Sequence, residues 1–178
     1  MREVRPWRRK SRRRVYDHPL FSLEEQELEA EGGDTRKVVV FEPTDWINVI
    51  PLADDGRVLM VRQWRFGTAA ESLEIPGGMV DAGEDLAQAA ERELLEETGY
   101  RARQWKKLGE VDPNPAIQTN RCGLWLATGL EWVQEPEGDG DEEISVEWVA
   151  LEKVRELILS GGIRHSLVVA AFYYFDHR

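Results

Sequence analysis

The chain has 178 residues, 42% of them apolar and seven of them tryptophan, which is enough for one compact domain with a sizeable core and calls for no second one. Its single cysteine, Cys122, excludes an internal disulfide and fits a reducing cytoplasm; no apolar run suits a membrane span or the apolar stretch of a signal peptide. The formal net charge of −11 hides an asymmetry, because Arg2 to Arg14 holds eight basic residues and one acid.

That basic run is interrupted by Trp7 and followed by Val15 and Tyr16, and the acidic body behind it weakens binding to a polyanion. It is read as a solvated arm or a strand edge, and nucleic acid is not an expected partner. Val15 to Glu29 predicts two short strands about a turn at Asp17-His18-Pro19, followed by the breaker Gly32-Gly33-Asp34 and a β-rich run from Arg36 to Phe41. Trp46 to Leu52 and Arg57 to Trp64 read as a hairpin across Ala53-Asp54-Asp55-Gly56. Arg62 and Arg65 alternate with Gln63 and Trp64 there, and both guanidiniums are expected on one face, where their planar forks suit a pyrophosphate. Trp46 and Trp64 offer ring faces on which a base would stack.

A short apolar segment, Leu73 to Ile75, ends at Pro76-Gly77-Gly78, and a helix follows. Glu84 and Asp85 suit its first turn, where unpaired backbone N–H groups favour carboxylates, and Gly99 suits a left-handed residue just past its end. Glu93, Glu96 and Glu97 share one face of that helix, beside an apolar stripe of Ala87, Ala90 and Leu94. Three carboxylates on one face repel by a few tenths of a kcal/mol per exposed pair, roughly, unless a cation sits among them. Hard oxygen donors without His or Cys favour Mg2+, with Mn2+ as the alternative. Arg92 is placed to orient a neighbouring carboxylate and to offset part of the charge. A solvated acidic face is the plainer reading of such a run. The turn glycines and Glu84 at fixed distances before it favour a metal-dependent site.

Asp112 to Arg121 is turn-rich, at the same end as the carboxylates, and is read as shaping a pocket. Trp105 to Val111, Arg121 to Thr128 and Ile144 to Val149 are predicted strands; Leu151 to Leu159 and Ser166 to Asp176 are predicted helices. The class is α+β. Cys122 is read as a small buried residue without a catalytic role. The acidic segment Asp139-Gly140-Asp141-Glu142-Glu143, with Gly138 and Gly140 as flexible points, suits a lid.

Gly78 to Tyr100 fills every position of the pattern G-x5-E-x7-R-E-U-x-E-E-x-G-U, where U is a bulky apolar residue and Tyr100 stands for the commoner aliphatic one. The chain therefore resembles the Nudix hydrolases, over about Trp46 to Asp176. The resemblance implies an α/β/α sandwich around a mixed β-sheet, with residues 1–40 as a basic tail and β arm and residues 41–178 as the Nudix domain. Val61-Arg62-Gln63-Trp64-Arg65, Ser72-Leu73-Glu74-Ile75-Pro76-Gly77-Gly78, and Pro115, 16 residues after Gly99, are similar to marks of the ADP-ribose pyrophosphatases.

Membership of that subgroup would imply Mg2+-dependent hydrolysis of the pyrophosphate bond of a nucleoside diphosphate linked to another group, foremost ADP-ribose to AMP and ribose 5-phosphate. GDP-mannose or another nucleotide sugar, a dinucleotide, an RNA end, or a non-catalytic nucleotide-sensing role are the alternatives. Implied catalytic residues are Glu93, Glu96, Glu97, Arg92 and Glu142. Implied metal ligands are the Gly77 carbonyl, Glu93, Glu96, Glu97 and Glu142, with Glu143 second to Glu142. Arg62, Arg65, Glu74 and Pro115 are the implied substrate-binding residues. A cytoplasmic homodimer joined through the N-terminal arm completes the expectation.

Overall fold

Opposite charges in register build the first part of the chain. In the computed structural model, which describes residues 4–137 and 143–178, β1 (Trp7–His18), β2 (Phe21–Ala30) and β3 (Thr35–Pro43) form an antiparallel three-stranded sheet in that order. The first strand begins at Trp7 rather than at the expected Val15, so the basic run is itself β1. Its cations face acids across the ladder: Arg8 and Lys10 meet Glu29, Arg12 meets Glu24, and Arg13 meets Glu25. Opposite charges at cross-strand positions stabilise the pairing. Of the two forms expected for the basic run, the strand edge is the one observed.

The chain falls into two compact units. One comprises Met1–Thr44 with Asp112–Asn120, the other Asp45–Val111 with Arg121–Arg178. Within the first, the 112–120 segment joins β3 through the Phe41 N–H, which donates to the Ile117 carbonyl at 2.8 Å.

The second unit holds β4 (Trp46–Pro51), β5 (Arg57–Arg65), β6 (Ala70–Glu74), α1 (Leu86–Thr98), β7 (Tyr100–Val111), β8 (Cys122–Trp132), β9 (Ser145–Ala150), α2 (Leu151–Ser160) and α3 (Ser166–His177). β4 runs parallel to β8, which is antiparallel to β7, while β5 lies between β6 and β9 and is antiparallel to both. The expected β4–β5 hairpin does not form. Its turn closes, with Gly56 N–H donating to the Ala53 carbonyl at 3.0 Å, but among the described residues only the bridge Leu52–Val58 links the strands. Ile47 to Pro51 are buried without alternation, the pattern of a strand covered on both faces, and such a strand takes a parallel partner.

Two apolar clusters fix the unit. Ile50, Met60, Leu124, Val168 and Phe172 belong to one, and Ile47, Val49, Ala90, Leu94 and Ala127 to the other, the latter under α1. Each fully buried Leu or Ile contributes about 1.5–3 kcal/mol relative to exposure. Cys122 lies in the first cluster, where burial, helped by Asp45, pushes its thiol up to about 12. No helix among the described residues is long and apolar enough to cross a membrane.

Candidate active site

Asp85 starts α1, and it does so as the N-cap rather than as a first-turn residue. Its carboxylate accepts from the N–H groups of Ala87 and Gln88, both at 2.9 Å, and the Gln88 side chain accepts from the Asp85 N–H at 2.9 Å. This reciprocal box satisfies donors that the helix leaves unpaired, and it places Glu84 just outside the helix. At the other end Gly99 has φ 75°, the left-handed conformation expected of it, and a side chain there would strike the Gln134 carbonyl. Between the caps Ala90, Leu94 and Glu97 are buried, and Glu93 and Glu96 lie partly open beside them.

The turn before the helix packs onto β4. Val49 N–H donates to the Pro76 carbonyl at 2.8 Å and Ile47 N–H to the Gly78 carbonyl at 2.9 Å. Gly77, between them, faces the other way. Its N–H donates to Glu97 Oε2 at 3.0 Å. Packing requires the first glycine, and the second leaves room for a side chain of α1. A side chain on Gly77 would strike the Ile47 carbonyl, and one on Gly78 would strike the Glu93 carboxylate.

Arg92 ties the acids together. Its guanidinium donates to both oxygens of Glu84 at 3.0 Å, to Glu93 at 2.9 Å, to Glu96 at 3.0 Å and to the Met79 carbonyl at 2.8 Å. These bonds, that of Glu84 foremost, push Arg92 still further above neutrality, and Arg92 holds Glu84 below the usual carboxylate range. One cation thus offsets the repulsion along this face of α1.

The NUDIX domain family matches residues 42–172. The chain belongs to that family. It is a Nudix hydrolase, and its fold is the α+β Nudix sandwich. The ADP-ribose pyrophosphatase of Mycobacterium tuberculosis is 32% identical over 155 residues, covering 85% of this chain and 74% of that one. The ADP-ribose pyrophosphatase of Bacillus subtilis is 27% identical over 167 residues, covering 93% and 90%. A crystal structure titled as an ADP compounds hydrolase shares the fold, with TM-score 0.85 at 23% identity over 99% of this chain and 96% of that one.

Nudix hydrolases use divalent metals, and the donors present suit one. Carboxylates at 93, 96 and 97 are hard oxygen groups on α1, and the absence of a Cβ on Gly78 leaves room for the Glu93 carboxylate. Among the described residues no three acids close on a single point, since Arg92 draws Glu93 and Glu96 to itself. A divalent ion would compete with that guanidinium for the same oxygens.

The expected substrate residues of the Nudix hydrolase separate. Arg62 donates to Glu147 and Arg65 to Glu74, on opposite faces of β5, so the expectation of one shared face is wrong. Side chains alternate along a strand, and residues three apart point to opposite sides. Glu74 is nearly enclosed, its carboxylate gripped by the Arg65 fork at 2.9 and 2.7 Å, which leaves it no opening toward a ligand. Burial pushes Glu74 up, but Arg65 and His165 outweigh it and hold the group below its ordinary range. Pro115 belongs to the first unit, and Trp64 is half exposed. Glu142 and the expected lid glycines Gly138 and Gly140 lie outside the described residues, whereas Glu143 is exposed.

Sequence reasoning missed three participants. Glu147 and His165 carried no motif, and only the three-dimensional pairing reveals them. The Asp85–Gln88 box did have a signal, an acid followed three residues later by Gln at a helix start.

Proposed function

We propose that this Nudix hydrolase cleaves the pyrophosphate bond of ADP-ribose, releasing AMP and ribose 5-phosphate, with Mg2+ as its metal. The observation that supports the reading is the Glu97–Gly77 hydrogen bond, which seats the carboxylate face of α1 against the turn that precedes it. The names of the relatives, ADP-ribose pyrophosphatases, support the substrate.

Glu93, Glu96, Glu97 and the Gly77 carbonyl would hold the metal, with Glu142 adding a ligand. A metal held there would supply positive charge to the pyrophosphate oxygens and would lower the pKa of an attacking water. Arg92 keeps Glu93 and Glu96 aligned and limits their mutual repulsion. Arg62 supplies a further positive fork: its partner Glu147 is 42% exposed, so exchanging that carboxylate for a phosphate costs little. A glutamate takes the proton of the water, whose oxygen joins one phosphorus as the bridging P–O bond breaks and the other phosphate leaves. The same reading takes residues 1–40 as the arm of a cytoplasmic homodimer and 41–178 as the catalytic domain.

The test is a panel of ADP-ribose, GDP-mannose, UDP-glucose, NADH, diadenosine polyphosphates and nucleoside triphosphates with Mg2+, products being resolved by anion-exchange chromatography. ADP-ribose is expected to give AMP with the highest kcat/KM. A higher value for another compound replaces the substrate, and tight binding of ADP-ribose without product makes the protein a sensor.

A further inference from the structure

The loop that leads into α1 is tied to the start of β4. Trp46 and Met79 form an antiparallel bridge, in which the Ile47 N–H donates to the Gly78 carbonyl and the Val80 N–H to the Asp45 carbonyl, both at 2.9 Å. The other side of the loop meets the charged groups of α1. A side chain on Gly78 would strike the Glu93 carboxylate, and the Met79 carbonyl accepts from Arg92 Nη2 at 2.8 Å. Gly78 to Val80 is thus held between β4 and the groups that the hydrolase reading assigns to the site.

Asp45 fixes the strand end on which this loop rests. It precedes β4, and the parallel β4–β8 ladder begins one residue later, at Trp46 and Cys122. Just beyond the ladder, Asp45 Oδ1 supplies the acceptor for the Arg121 N–H at 2.8 Å, and the Trp46 N–H donates back to the Arg121 carbonyl at 2.8 Å. Arg121 Nη2 reaches Asp45 Oδ2 at 3.4 Å. Nη1 of the same guanidinium donates to Glu110 Oε1 at 2.7 Å, and Glu110 accepts from Lys107 at 2.6 Å, so Arg121 is itself anchored on β7. Asp45 therefore joins two tasks: its carbonyl holds the loop, and its carboxylate holds the start of β8 through a charge-assisted bond to a backbone donor. Removal of that carboxylate frees the strand end that carries the loop.

We infer that Asp45 is a positioning residue, which fastens the start of β4 to β8 and so sets where Gly78 to Val80 lies against Glu93 and Arg92. The inference deepens the hydrolase reading of the α1 site and rests on it. Asp45 acts through the loop, so its effect falls on kcat and not on KM. Asp45→Ala removes the acceptor for the Arg121 N–H, whereas Asp45→Asn keeps an oxygen at the same reach.

The experiment compares these two variants by steady-state kinetics on ADP-ribose with Mg2+ and by amide hydrogen exchange at Val80. Asp45→Ala is expected to lower kcat about tenfold with KM held within about twofold. Exchange of the Val80 amide should accelerate about tenfold in it, while the Leu94 amide inside α1 stays protected. Asp45→Asn is expected to bring both readouts back to within about threefold of the unaltered protein. An unchanged Val80 amide in Asp45→Ala, a rise in KM with kcat retained, or an Asp45→Asn variant no better than Asp45→Ala overturns the inference. Should Asp45→Ala not fold, Asp45→Glu, whose carboxylate lies one methylene further out, decides through the same readouts: faster Val80 exchange with a lower kcat supports the positioning, and any other result overturns it. Absence of ADP-ribose turnover in the unaltered protein would instead refute the substrate, and the Val80 exchange rates would still decide the positioning.

Discussion

Gly77 and Gly78 differ in what a methyl group would strike. At Gly77 the obstacle is backbone, the Ile47 carbonyl and the Asn48 Cα, which cannot give way without moving β4. At Gly78 it is the end of the Glu93 side chain, which can swing aside. Gly77→Ala should therefore destabilise the protein by about 1–3 kcal/mol, read as a lower urea midpoint. Gly78→Ala should leave the midpoint nearly unchanged and abolish most turnover. Equal midpoints for the two variants would contradict this account. A second residue-scale prediction concerns Glu84, which Arg92 holds below the ordinary carboxylate pKa of about 4.3. A depressed folded-state pKa contributes stability that is full above the unfolded value and vanishes as pH falls through the folded one. The stability gap between the unaltered protein and Glu84→Gln should be constant above about pH 5 and shrink below about pH 4; a gap of the same size at low pH would refute the Arg92 pairing. The carboxylates at 93, 96 and 97 were legible from spacing because a helix repeats them on one face. The partners of Arg62 and Arg65 were not, since Glu147 is distant in sequence and the two arginines share no face.

The helix that carries the acids was written at both ends. Asp85 and Gly99 are local signals, and α1 lies between them as they require. Asp85→Ala, which removes the acceptor for two N–H groups, should cost about 1 kcal/mol, measurable as a shift of the unfolding midpoint; no shift would mean that water replaces the cap. Strand partners were less legible than strands. β4 and β5 each appeared in place, but their turn suggested a hairpin, whereas the uninterrupted burial of Ile47 to Pro51 assigns β4 to β8. Local turn chemistry proposes a neighbour, and the demand to cover both faces of an apolar strand decides it. β1 was hidden for a related reason. Seven Arg or Lys residues between Arg5 and Arg14 read as solvated, and only the acids of β2 across the ladder make a strand of them.

For the molecule as a whole, a net charge of −11 and the pairing of the basic strand with Glu24, Glu25 and Glu29 weaken its attraction for a polyanion. No binding of a fluorescent single-stranded RNA is expected at about 150 mM salt; measurable anisotropy change that falls steeply with added salt would restore the nucleic-acid reading. The acidic body would not oppose a phosphate substrate with an ion held at the carboxylates, because the ion's own charge would dominate the local field. The central claim is that the α1 carboxylates and the Gly77 turn make a hydrolytic site. The measurement that tests it most directly is the rate of AMP release from ADP-ribose by the unaltered protein and by Glu97→Gln, each with Mg2+ and with chelator. Release is expected to depend on Mg2+ and to fall by about 10²-fold or more in Glu97→Gln, with the fold intact by circular dichroism. Near-normal release by Glu97→Gln would contradict it.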